Sequence, residues 1–108
     1  MNFKELGADL GLEEDEYKEL VELFAESGSS DFNTLQEAMA TGDAEKVMRS
    51  AHTIKGASGN LGLTDVSETA RIIEEGALNN QLADVSSAVQ ILKKHFEAIK
   101  SFISSMPE

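Results

Sequence analysis

The chain is predicted to be all-α: an antiparallel up-down four-helix bundle with an additional N-terminal helix. Three observations predict it. Apolar residues recur at helical spacing along most of the chain, no segment alternates with period two, and the only proline is Pro107 near the C-terminus. Amphipathic helices joined by short turns can bury their stripes only against one another, and an up-down bundle is the simple arrangement that does so.

Residues 1–12 read as a weak helical lead-in. Tyr17, Leu20, Val21 and Phe24 then form an apolar stripe over 13–27, and Phe32, Leu35 and Met39 form another over 31–41. The Ser27-Gly28-Ser29-Ser30 stretch between them reads as a break or kink. Asp43 follows Thr41-Gly42 and can cap a helix beginning at Ala44. The buried line of that helix is Val47, Ala51, Ile54, Ser58 and Leu61, and Gly62 ends it. Thr64 is the expected N-cap of the next helix, with Asp65 and Glu68 in its first turn and Val66, Ala70, Ile73 and Ala77 as its stripe. Asn79-Asn80 marks a turn. The last helix is the clearest: Leu82, Val85, Val89, Leu92, Phe96, Ile99 and Ile103 lie on one line, with Lys93, Lys94 and Lys100 outside it.

The 108 residues suit one domain spanning 1–108. The formal net charge of −11 argues against a nucleic-acid binder, because phosphate contacts need a basic patch. The same field repels an anionic membrane surface, and no apolar run approaches the roughly 20 residues of a membrane span. The absence of cysteine excludes a disulfide framework and thiolate metal sites, and a cytoplasmic location is the default expectation. Neither His52 nor His95 completes a Glu-x-x-His pattern, and the acids form no calcium loop, so no metal or cofactor is expected on this chain.

Residues 51–63 carry the chemistry. They contain Gly56, Gly59 and Gly62, and each glycine inside a helix costs about 1 kcal/mol relative to alanine. Angular position supplies a reason for that cost. At about 100° per residue, Lys55 lies about 60° to one side of His52, Gly56 about 40° to the other, and Gly59 about 20° away. His52 thus sits off the core line, beside a cation, above a strip without side chains where another protein's backbone can come close. Arg49, about 60° away, can assist Lys55 in neutralising a negative group on the ring. Met48, about 40° from His52, reads as part of a docking patch rather than core edge. From Asp43 to Gly62 three basic residues face two acidic ones, so this stretch is the least acidic part of the chain. Neutral imidazole is a competent nucleophile near neutral pH. A lone histidine is ordinarily a half-buried hydrogen-bonding residue, and His95, beside Phe96, fits that description. The spacing around His52 sets it apart.

The segment His52-x-x-Lys55-Gly56-x-Ser58-x-x-Leu61-Gly62 resembles the signature of histidine-containing phosphotransfer (HPt) domains. A Leu-Gly-Leu start, an acidic first helix, a Thr-Gly-Asp turn before the histidine and a long terminal helix extend the resemblance over nearly the whole chain. It implies an up-down helical bundle in which His52 is phosphorylated, Lys55 orients or stabilises the phosphoryl group, and Gly56 leaves room for the docking partner. It also implies partners: a sensor or hybrid histidine kinase, and a response-regulator receiver domain whose aspartate exchanges the phosphoryl with Mg²⁺ bound on the receiver. The chain would be a phosphocarrier without an ATP site. The alternative of another class is a helical docking module that binds a receiver-like partner without being phosphorylated. A metal-dependent hydrolase stands further off, with two histidines and no cysteine to work with.

Overall fold

Every helix from α1 to α4 ends in the same way, and these endings set the bundle's shape. The computed structural model describes residues 1–106; Pro107 lies outside the described residues. The elements are α1 (Phe3–Asp9), α2 (Glu14–Thr41), α3 (Ala44–Asn60), α4 (Thr64–Leu78), a 3₁₀ turn (Leu82–Val85) and α5 (Ser86–Ser105). After α2, Gly42 adopts the left-handed conformation at φ 73°, and the Asp43 N–H reaches back to the Ala38 carbonyl at 2.9 Å. Gly11, Gly62 and Asn80 close α1, α3 and α4 through the same back-bonding. Asp43 then starts α3 at once, its carboxylate accepting from the Lys46 N–H at 3.1 Å. With connections this short, successive long helices run antiparallel.

The helices α2, α3, α4 and α5 pack in sequence, α5 returns against α2, and α1 lies on α2. The expected bundle with its extra N-terminal helix is what forms, and the described residues contain no strand. The core is lined by the predicted stripes: Val47, Ala51, Ile54 and Ser58 from α3, Val66, Ala70, Ile73 and Ala77 from α4, and Val89, Leu92, Phe96 and Ile99 from α5 are all buried. Phe96 stacks on Phe24 with ring centroids 5.5 Å apart and meets Phe32 at 5.8 Å. No helix among the described residues is long and apolar enough to cross a membrane.

Four expectations are corrected. The Ser27–Ser30 stretch neither breaks nor ends a helix: α2 is continuous over 28 residues, about 42 Å of rise, and so spans the long axis of a molecule of 42 × 23 × 18 Å. Gly28 is there for packing. A Cβ on it would lie 2.7 Å from the Phe96 ring, so the glycine lets α5 come close. Leu20 is exposed, because the core line of α2 runs through Tyr17, Val21, Phe24, Ala25 and Gly28. Thr64 does not cap α4: Leu63 occupies the cap position, Thr64 Oγ1 bonds the Gly62 carbonyl, and Glu68 lies beyond the first turn, held by Arg71. Leu82 and Val85 belong to the 3₁₀ turn rather than to the last α-helix, with buried Val85 seated over Gly76, where any Cβ would overlap its Cγ1.

Candidate functional site

The helix carrying His52 is anchored at both ends and along its inner face. At its C-terminal end, the buried Tyr17 hydroxyl of α2 donates to the Leu61 carbonyl at 2.5 Å. Inside, Ser58 is fully buried but satisfied, donating to the Ile54 carbonyl at 2.7 Å. Across the seam with α4, Ser67 donates to the Lys55 carbonyl at 3.1 Å. The helix can therefore present its outer face as a fixed surface.

On that face stand His52, Lys55 and Gly56, as their spacing predicts. The His52 side chain is 66% exposed, Lys55 is half-buried, and Gly56 is exposed. Nothing lies within 4 Å of the position a Gly56 Cβ would take, so no packing inside this chain requires a glycine there. Gly59 differs. A Cβ on it would meet Ser67 Oγ at 3.4 Å, which places it at the α3–α4 seam. Met48 is half-buried against the core edge with part of its surface exposed, and Arg49 is exposed and forms no ion pair among the described residues. His95 lies elsewhere, half-buried on α5 with its Nε2 3.4 Å from Thr69 Oγ1.

The central residue that sequence reasoning missed is Glu74. Its Oε2 lies 2.5 Å from His52 Nδ1 and its Oε1 lies 2.6 Å from Lys55 Nζ. One carboxylate therefore bridges the imidazole and the ammonium, and its side chain is only 15% exposed. Burial works to push the Glu74 carboxyl up. The hydrogen bonds and positive charge of Lys55 and His52 outweigh it and hold the carboxyl below the ordinary carboxylate value. An ionised carboxylate can only accept, so the proton of the His52–Glu74 bond belongs to His52 Nδ1. In the neutral ring this leaves the lone pair on Nε2, the nitrogen without a protein partner among the described residues. The charge expectation is refined accordingly: α3 is locally basic, but α4 sets a carboxylate in the middle of the site.

The antiparallel hairpin about Gly62 makes this meeting possible. Residues nearly equidistant from that turn face each other across the seam, Gly59 with Ser67 and His52 with Glu74. The signal available in sequence was an acid at the edge of the α4 stripe, four residues after Ala70 and three before Ala77.

The Hpt domain family model matches residues 19–102. The chain is also similar to a solved structure, the histidine-containing phosphotransfer protein B (HptB) from Pseudomonas aeruginosa PAO1. The two superpose with a TM-score of 0.82 at 23% identity, over 96% of this chain and 90% of that one. No curated protein matches the chain.

Proposed function

Since the chain belongs to the Hpt domain family, we propose that it is a phosphorelay carrier that takes up a phosphoryl group on His52 Nε2 and hands it to a receiver aspartate. The carrying observation is the bridge from His52 Nδ1 through Glu74 to Lys55, beneath an imidazole that is otherwise open. The bridge supports a defined reaction. His52 Nε2 attacks the phosphorus of an aspartyl phosphate, the N–P bond forms as the P–O bond to the aspartate breaks, and the electron pair leaves with the carboxylate. The ring gains positive charge while keeping its Nδ1 proton, and Glu74 faces that charge directly. Glu74 thus acts as a half-buried carboxylate that fixes the tautomer and stabilises the cation without supplying a proton. Lys55 turns its ammonium from Glu74 toward the incoming phosphoryl oxygens. In the reverse direction the aspartate oxygen attacks and Nε2 leaves.

The partners in this reading are a receiver domain, which supplies the aspartate and Mg²⁺, and a sensor or hybrid histidine kinase upstream. Gly56 and exposed Gly59, with Met48 and Arg49 nearby, form the docking strip, Gly59 at its edge beside Ser67 of α4. The chain carries no kinase activity of its own.

The test is transfer of label from a phosphorylated receiver. The wild type is expected to take up label that is acid-labile and base-stable, His52→Gln to take up none, and His95→Gln to be labelled normally. ATP alone is expected to give no label. Binding without label in the wild type would leave only the docking module, and label persisting in His52→Gln would move the site elsewhere.

A further inference from the structure

The outer face of α2 near its N-terminus presents apolar surface that the bundle does not use. Leu20 and Leu23 are 41% and 63% exposed, although full burial of a leucine is worth about 1.5–3 kcal/mol. With Leu12 they line an open groove of about 570 Å³. Its rim is acidic, formed by Glu16, Glu19, Glu22 and Glu26. Glu22 reaches Lys18 at 3.8 Å, Glu16 accepts only the backbone N–H of Glu13, and Glu19 and Glu26 make no ion pair among the described residues. An apolar centre ringed by charge of one sign is the form of an interaction site.

We propose that this groove docks a basic amphipathic helix of another protein, its apolar stripe on Leu20 and Leu23 and its lysines or arginines against the glutamate rim. Charge selects this occupant. A second copy joined face to face through the same groove would set carboxylates against carboxylates on a protein of net charge −11. Anionic membranes and nucleic acids are repelled by the same rim. A helix with apolar residues at helical spacing and cationic flanks satisfies both parts of the surface at once. The groove is separate from the phosphoryl site. Leu23 and His52 stand on antiparallel helices at levels about 13 Å apart along the bundle axis, counted from the Gly42 turn. The proposal does not depend on His52 being phosphorylated.

The probe is a fluorescein-labelled synthetic peptide of about 18 residues, long enough for five turns, with leucines at helical spacing and lysines elsewhere. A scrambled peptide of the same composition is the control, with binding read by anisotropy and mapped by heteronuclear NMR. The patterned peptide is expected to bind, with shifts concentrated in residues 12–26. Leu23→Ser is expected to weaken binding about 10-fold. Glu19→Gln with Glu26→Gln is expected to weaken it and flatten its salt dependence, and His52→Gln to leave it unchanged. Both leucine and glutamate positions are exposed, and the NMR spectra of the variants check that the fold is retained. Equal binding of the scrambled peptide, shifts spread over the acidic surface, or an unaffected Leu23→Ser would overturn the proposal. So would a dimer in sedimentation that Leu23→Ser dissolves, since the occupant would then be a second copy.

Discussion

Substituting alanine for glycine at three positions should give effects of opposite sign. Gly56 lies inside α3 with no atom within 4 Å of a built Cβ, so alanine meets no obstacle there. The gain is the helix propensity difference, about 1 kcal/mol, which raises the melting temperature of a domain this size by about 4 °C. At Gly28 the same Cβ would lie 2.7 and 2.9 Å from two atoms of the Phe96 ring, which is itself wedged between Phe24 and Phe32. Overpacking of about 2–3 kcal/mol then outweighs the propensity gain, for a net loss of about 1–2 kcal/mol. At Gly76 the overlap is with the stiff, buried Val85, and the loss is larger. Urea unfolding followed by circular dichroism measures all three. Phosphoryl transfer from a labelled receiver completes the test: Gly56→Ala should be more stable yet transfer about 10-fold more slowly, because in the proposed docking the new methyl stands where the partner's backbone approaches. A Gly56→Ala protein that is less stable, or that transfers at the wild-type rate, would refute the argument that this glycine serves an intermolecular contact.

Four further outcomes follow from the site and its supports. Glu74→Gln should slow transfer by about 10–100-fold, the worth of a charge-assisted hydrogen bond realised as the ring becomes cationic, read in single-turnover kinetics; an unchanged rate would remove Glu74 from the mechanism. Because the folded Glu74 carboxyl is held below its ordinary value of 4.5, its stabilisation is present above that pH and is lost as pH falls through the folded value. The stability gap between wild type and Glu74→Gln should therefore be constant at neutral pH and close on acidification, in urea titrations across pH. Tyr17→Phe should cost about 1–2 kcal/mol by leaving the Leu61 carbonyl without its buried donor. Burial also pushes the Tyr17 hydroxyl above 10.0, so this stabilisation is intact below that pH and lost as pH rises through the folded value, an alkaline component that the phenylalanine variant should lack.

The sequence was most legible where a local rule acts alone. The Asp43 cap and the left-handed Gly42 and Gly62 are local, and so are the one-sided stripes of α3 and α4. What was not legible depends on register between helices. Ser27–Ser30 looks like a break until Phe96, far away in sequence, is seen lying on Gly28. Leu20 fits an apolar stripe by spacing, and only the packed bundle shows that Val21 and Phe24 face inward while Leu20 does not. His52, Lys55 and Gly56 share one helix, so their common face follows from 3.6 residues per turn. Glu74 reaches them from another helix, and pairing it with His52 requires the geometry of the hairpin about Gly62.

The way His52 is held has a consequence for traffic through the protein. With one ring nitrogen tied to Glu74, a single atom is left for exchange, and it projects from the middle of a rigid rod rather than from a movable loop. In the proposed carrier role, supplier and recipient must therefore come to the same spot in turn and never together. An excess of idle suppliers would slow delivery simply by crowding that spot, and every client must carry the same mould of this one face.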